Sequence, residues 1–162
     1  MSLLSRGRLA ALAVAAISLP LLAGCTTVPL SPAPSANTVS CADVTVRLPT
    51  TLEGQSLRDT SAQATGAWGS PAGVLLTCGI TTPKVSDLAC NTVDGVDWLV
   101  DHKGKGGTIA VYTTYGREPG VQVVVDTTLV PSNTNVLFDL STAVGTLPQT
   151  RKCLSASDVP AP

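Results

Sequence analysis

The sequence has 162 residues, of which 13% are charged and 3% aromatic, and its formal net charge is −1. Removing Arg6 and Arg8, which lie in a segment that we expect to be cleaved, leaves eight of the ten Lys and Arg against eleven Asp and Glu. A mature chain with this acidic balance is unsuited to binding a polyanion, so no nucleic acid partner is expected.

The N-terminal segment has the pattern of a secretory signal. Arg6 and Arg8 precede an uncharged run over residues 9–23, which is largely apolar. A charged start, a short apolar run and small residues at its end mark an export signal. The run is shorter than the ~18–20 apolar residues that span a bilayer, and Pro20 interrupts it. We therefore expect residues 1–24 to be removed.

The end of this signal resembles a bacterial lipobox, Leu22-Ala23-Gly24-Cys25. The resemblance implies transfer of a diacylglycerol to the Cys25 thiol, cleavage before Cys25, and acylation of the new amino terminus by a fatty acid such as palmitate. Two or three acyl chains, at ~0.8 kcal/mol per buried methylene, anchor a protein firmly. The alternative is an ordinary signal peptide in which Cys25 is incidental. The lipobox predicts a lipid-anchored protein at the outer face of the cytoplasmic membrane.

Residues 25–40 are rich in Pro, Ser and Thr and predict a flexible or extended tether. At ~3 Å per residue this tether would hold the domain up to about 45 Å from the membrane. A globular domain is predicted over residues 41–153 and a flexible tail over residues 154–162.

In the first half of the domain, the sequence pattern predicts two strands and one helix. Residues 43–48 alternate polar and apolar side chains and predict a strand. Residues 56–68 place Leu57, Ala64 and Trp68 at roughly helical spacing and predict a helix. Residues 74–80 are mostly apolar and predict a strand, and residues 81–92 predict a loop.

In the second half of the domain, the sequence pattern predicts an antiparallel meander followed by a helix. Three runs with alternating apolar residues, 96–101, 108–115 and 121–128, are joined by turns that contain glycine. Val96, Trp98 and Val100 are expected to face inward and Asp97 and Asp101 outward. Ile109, Val111, Thr113 and Tyr115 are expected to share one face of the next strand. After Pro131 a helix is predicted from its apolar stripe: Val136, Leu137, Leu140, Ala143, Val144 and Leu147.

These elements predict an α+β fold. We expect a single small domain with roughly five antiparallel strands, covered by one or two helices and held by two disulfides. Asn133, Thr134 or Asn135 is expected to cap the last helix.

Four cysteines remain besides Cys25, and an even number in an exported chain predicts two disulfides. Three pairings of Cys41, Cys78, Cys90 and Cys153 stay open. We favour Cys78–Cys90, which would close a short loop, and Cys41–Cys153, which would join the ends of the domain. Zinc needs clustered ligands, and neither a CxxC pair nor a second histidine is present, so no metal or other cofactor is expected.

Several motifs, in this order, resemble the actinobacterial exported and lipoprotein family catalogued as the domain of unknown function numbered 3515. They are Cys41, Leu48-Pro49, Trp68-Gly69-Ser70-Pro71, Leu76-Thr77-Cys78-Gly79-Ile80, Pro83, Cys90, Val96-Asp97-Trp98-Leu99, Thr113-Thr114-Tyr115-Gly116-Arg117-Glu118-Pro119 and Cys153. The resemblance implies a location and an architecture, and it carries no activity or catalytic residue.

Three weak motifs favour simple turns over chemistry. His102 would be the only conventional base near neutral pH, but no nucleophile elbow accompanies it. The glycines of residues 103–107 lack the spacing of a phosphate loop. Asn91, Asp94 and Asp97 lack the dense oxygen spacing of a calcium loop.

The strongest candidate for a binding patch combines aromatic side chains with one cation: Trp68, Trp98, Tyr115 and Arg117. The alternative is that both tryptophans and one tyrosine fill a core otherwise built of small Val, Ala and Leu side chains. With no catalytic motif, the chain is expected to be a non-enzymatic module that binds an envelope protein or a cell-wall component. A small-ligand carrier with a pocket between helix and sheet is the second hypothesis. A hydrolase using His102 or a carboxylate pair is the third.

Overall fold

Eight antiparallel strands form one sheet in the computed structural model, which describes residues 27–154. The strands are β1 (Thr51–Leu52), β2 (Gln55–Arg58), β3 (Thr65–Trp68), β4 (Val74–Ile80), β5 (Ala89–Val93), β6 (Val96–Lys103), β7 (Ile109–Thr114) and β8 (Gly120–Asp126). The helices are α1 (Val39–Thr45) and α2 (Asn133–Val144), with a short 3-10 helix at Lys105–Gly107. Cys25, the predicted signal segment and most of the predicted tail lie outside the described residues.

The order of strands in the sheet is β1-β2-β3-β4-β8-β7-β6-β5. β1 to β4 lie side by side in chain order and form one half of the sheet. The chain then crosses to the opposite edge, where β5 lies, and β6, β7 and β8 follow inward until β8 pairs with β4. The predicted meander is confirmed as β6, β7 and β8. The single α+β domain is also confirmed, but with eight strands rather than five.

Both helices contribute to one core on one face of the sheet. Val74, Leu76 and Cys78 of β4 are fully buried, whereas Leu75 and Thr77 between them are only partly covered. Val121, Val123 and Val125 of β8 are also fully buried, as their alternation predicts. The predicted stripe of α2 is confirmed as its buried face: Val136, Leu137, Leu140, Ala143 and Val144, with Leu147 beyond the helix.

The predicted strand over residues 43–48 is wrong, because α1 occupies this region. The Thr38 side chain caps the helix by accepting a hydrogen bond from the Cys41 backbone N–H at 3.4 Å. Cys41 and Val44, three residues apart, form the buried face of the helix. Val46, which the strand pattern placed beside Val44 on one face, is 78% exposed.

The predicted helix over residues 56–68 is also wrong. This stretch contains β2 and β3, and Ala64 between them has a positive φ of 55° that interrupts helical geometry. β3 lies between β2 and β4, and all four of its residues are buried. Inter-strand pairing and burial outweigh the weak helical spacing of Leu57, Ala64 and Trp68.

The predicted loop over residues 81–92 contains most of an edge strand. β5 pairs with β6 from Ala89↔Val100 to Val93↔Val96. None of its five residues is fully buried, and Asn91 and Thr92 are both exposed, so no alternation of apolar side chains marks it in the sequence. The helix cap is also corrected, since Ser132 caps α2 by accepting from the Asn135 backbone N–H.

The disulfides join Cys41 to Cys78 and Cys90 to Cys153, with Cα–Cα distances of 5.6 and 5.7 Å. The two bonds are confirmed in number, but the favoured pairing is wrong. Three strands separate β4, which carries Cys78, from β5, which carries Cys90. At ~4.8 Å per strand these cysteines lie about 19 Å apart, well beyond the reach of a disulfide.

The described part of the predicted tether, residues 27–40, packs on the domain. Val28 forms a parallel bridge with Thr60, and Ala36 is 4% exposed within the core. The Ser35 backbone N–H donates to the Gly79 carbonyl at 3.0 Å. The prolines of this segment suggested a free linker, but a buried small residue and edge hydrogen bonds hold it in place.

Mild reduction is expected to open Cys90–Cys153 before Cys41–Cys78. Cys41 and Cys78 are 0% exposed, whereas Cys90 and Cys153 are partly exposed, and an attacking thiolate needs access to sulfur. Alkylation of the native protein during titration with dithiothreitol, followed by peptide mapping, measures the order. Labelling of Cys41 or Cys78 before Cys90 and Cys153 would contradict this order. The same titration in denaturant is the control, because both disulfides are accessible in the unfolded chain.

Candidate functional site

The predicted patch does not form a surface, because the structure buries three of its four members. Trp68 and Trp98 are 0% exposed, and Arg117 is 5% exposed. The Trp68 indole N–H donates to the Pro49 carbonyl at 2.9 Å. Tyr115 is half-buried and donates its hydroxyl to the Lys84 carbonyl at 3.2 Å. The core alternative therefore applies to both tryptophans, which belong to one cluster of buried side chains.

Arg117 holds the end of α2 rather than a ligand. Its guanidinium donates to the carbonyls of Gly145, Leu147 and Gly95. Gly145 is the C-cap of α2, where helix carbonyls have no partner within the helix and favour a cation. Burial lowers the pKa of Arg117, and the charge of Asp97 opposes that shift.

Asp97 is buried, although alternation placed it outward. It is 4% exposed because the C-terminal segment covers its face of the sheet. Its carboxylate accepts from the Thr92 hydroxyl at 2.6 Å, the Gln149 amide at 3.0 Å and the Cys153 backbone N–H at 2.9 Å. A cleft of about 190 Å³ beside it includes Gly95 and Lys152. This cluster fastens residues 149–153 to the sheet.

The other sequence candidates do not converge. His102 is exposed on β6, opposite Ala110 of β7. Residues 103–107 contain the short 3-10 helix. Within residues 27–154 no group of three His, Cys, Asp or Glu side chains could hold a metal ion. His102 is not among the lining residues of the three clefts described in this section.

An apolar groove runs along α1, in a region where the sequence predicted no site. It has a volume of about 360 Å³, against about 250 and 190 Å³ for two other clefts, and we call it the α1 groove. It is lined by Ala36, Asn37, Thr38, Val39, Ala42, Thr45, Val46, Gln63 and Ala64. None of these nine residues carries a charge and five of them are Ala or Val, so the groove is suited to an apolar occupant.

Two exposed valines mark the face of α1 beside this groove. Val39 is 80% exposed and Val46 is 78% exposed. They lie seven residues apart, and with Ala42 they follow the spacing of one helix face. The same spacing is visible in the sequence, but the strand predicted over residues 43–48 concealed it. On the neighbouring helix surface, Arg47 and Asp43 form an exposed ion pair at 3.1 Å, so that surface has no excess charge.

The N-terminal segment meets the domain next to the α1 groove. The Val28 N–H donates to the Asp59 carbonyl at 2.8 Å, and the Ser61 N–H donates to the Val28 carbonyl at 3.0 Å. The Leu30 N–H then donates to the Ser61 hydroxyl oxygen at 3.0 Å. Gln63, two residues after Ser61, lines the groove.

A third cleft, of about 250 Å³, lies at the β5 edge. It is lined by Val85, Ser86, Leu88, Cys90, Leu99, Tyr115, Lys152, Cys153 and Leu154. Tyr115 is the one member of the predicted patch that lines any of the three clefts described. The partly exposed Cys90–Cys153 disulfide is part of the cleft wall.

No helix within residues 27–154 has both the length and the apolar character needed to cross a bilayer.

Comparison with curated proteins and with solved structures finds no match to the chain. The family model described as "Protein of unknown function (DUF3515)" matches residues 8–152, which is most of the chain. The protein therefore belongs to the DUF3515 family.

Proposed function

We propose that this protein is a lipid-anchored, extracytoplasmic envelope protein. It is held at the outer face of the cytoplasmic membrane through acyl chains on Cys25, and it acts as a non-enzymatic module that binds an envelope protein or a cell-wall component. The observation that carries the proposal is the cysteine distribution. The other four cysteines pair with one another, so none is available to Cys25, which directly follows the small residues of the signal.

The two disulfides support an extracytoplasmic location, since such bonds persist in oxidising compartments and are rare in the cytosol. The binding role is supported by the cleft at the β5 edge, whose lining includes three exposed apolar side chains, Val85, Leu88 and Leu154. The actinobacterial source and the lipoprotein nature of the family are part of this proposal.

Cys25→Ala is expected to release the protein from the membrane fraction and to abolish labelling by a fatty-acid analogue. The thiol is the acceptor of the diacylglycerol, so its loss removes the acyl chains that form the proposed anchor. Cell fractionation and in-gel fluorescence of a clickable palmitate analogue measure both effects.

Ser40→Ala, which leaves the lipobox intact, serves as the control and should behave as the unmodified chain. Unchanged labelling of the Cys25→Ala chain would refute the anchor.

The second candidate function is a small-ligand carrier that uses the α1 groove. The volume of about 360 Å³ lies within the range of small-molecule pockets. A carrier retains an apolar small molecule after purification in the absence of detergent, and mass spectrometry of a solvent extract would reveal it. A binding module retains none.

A further inference from the structure

The short reach between Cys25 and the domain has a consequence for how the protein sits on its membrane. Val28 is fixed to the domain by hydrogen bonds to Asp59 and Ser61. Three residues of fully extended chain cover at most about 11 Å, so Cys25 and Val28 cannot be farther apart than that. The headgroup layer on each side of a bilayer is itself about 5–8 Å thick. An acylated Cys25 would therefore bring the surface around Val28 to the headgroups.

The α1 groove is close to this attachment point. Gln63 on its rim is two residues from Ser61, a distance of at most about 7 Å along the chain. Ala36 also lines the groove, and it directly follows Ser35, whose backbone N–H donates a hydrogen bond to the Gly79 carbonyl. The segment that leads to Cys25 thus joins the domain beside the groove.

We propose that the α1 groove and the exposed valines of α1 rest on the lipid surface of the membrane. This inference depends on the proposed lipid anchor and adds the orientation of the domain. Val39 and Val46 enter the boundary between headgroups and acyl chains, as the apolar face of an interfacial helix does. The contact needs little affinity of its own, because the anchor holds α1 at a high effective concentration next to the bilayer.

The chemistry of the surface favours lipid as the occupant. The groove lining carries no charge, and the neighbouring Asp43–Arg47 pair is neutral overall. Attraction to anionic headgroups is therefore not required, and burial of apolar side chains supplies the contact.

Site-specific photocrosslinking tests this orientation. A diazirine-bearing amino acid replaces Val39, Val46 or Val85, one at a time, in the full chain with its signal, and intact cells are irradiated. Val85 is the matched control, because it is 84% exposed but lies in the connection to β5, at the far edge of the sheet. All three side chains are exposed, so the replacements leave the core unchanged.

Phospholipid adducts at positions 39 and 46, in several-fold excess over position 85, are the expected result by mass spectrometry. Protein adducts without lipid adducts at positions 39 and 46 would overturn the inference in favour of a protein partner. A crosslinked dimer would overturn it in favour of a second copy, and equal yields at all three positions would overturn it altogether.

Labelling of the same cells with the palmitate analogue distinguishes a failure of the proposed orientation from a failure of the proposed anchor. A labelled, membrane-bound protein that gives no lipid adduct at positions 39 and 46 refutes the orientation alone. An unlabelled protein in the soluble fraction refutes the proposed anchor as well.

Discussion

Asp97→Ala is expected to lower the free energy of unfolding by about 3–5 kcal/mol, because each hydrogen bond to a charged group contributes about 1.5–3 kcal/mol and partly exposed donors recover some of it by bonding water. The carboxylate accepts hydrogen bonds from Thr92, Gln149 and Cys153, and its loss leaves three donors without this acceptor. It also removes the negative charge that favours the buried cationic form of Arg117. Since small domains have only about 5–15 kcal/mol of stability, this loss is a large share.

Urea unfolding followed by tryptophan fluorescence measures this effect, because Trp68 and Trp98 are both fully buried. Asp139→Ala is the control, since Asp139 is an exposed carboxylate on α2 and its removal should cost within about 0.5 kcal/mol. Asp97→Asn preserves one acceptor oxygen and should fall between the two. A cost for Asp97→Ala equal to that of Asp139→Ala would contradict the structural role of the cluster.

Gly116→Ala is expected to destabilise the domain by about 2 kcal/mol more than Gly106→Ala, from the loss of two hydrogen bonds. Both glycines have nearly the same positive φ, +69° and +71°, so the conformational strain of adding a Cβ is shared. At Gly116 that Cβ would lie 2.0 Å from the Arg151 carbonyl oxygen, whereas at Gly106 nothing lies within 4 Å. The C-terminal segment must therefore move only in the Gly116 variant.

The bonds at risk are those that Thr150 makes to the Gly116 carbonyl, from its N–H at 2.6 Å and its hydroxyl at 3.0 Å. The same unfolding measurement gives the energies, and hydrogen exchange of residues 149–153 reports the release of the segment. Equal stability of the two variants, with unchanged exchange, would show that the segment is not held by this contact.

Both variants address the same feature, the C-terminal segment that covers one face of β6. It connects Asp97 to the Cys90–Cys153 disulfide, and Arg117 connects the same sheet to the end of α2. The residues that suggested a binding patch are therefore used to hold elements together. At the N-terminal end, the segment around Val28 and Ser35 packs on the domain instead of forming a free tether. The proposed orientation of α1 on the membrane depends on this short connection and on the proposed anchor.

Local patterns predicted those elements whose burial follows a simple period. The β6–β8 meander alternates with glycine-bearing turns, and α2 has a continuous apolar stripe ended by Pro148. Each pattern arises because one face of the element packs on the core. It can therefore be recognised in the sequence without knowing which segment packs against that face. The DUF3515 resemblance was likewise visible in ordered short motifs and is confirmed by the family match.

The sequence by itself determined the α+β class, the meander, α2, two disulfides and the family. Only the tertiary structure decided the disulfide partners, since β4 and β5 follow each other in the chain but have three other strands between them in the sheet. It also decided that Asp97 and Arg117 are buried and that Val39 and Val46 are exposed. These properties depend on which distant segment covers each face, and local periodicity contains no information about that.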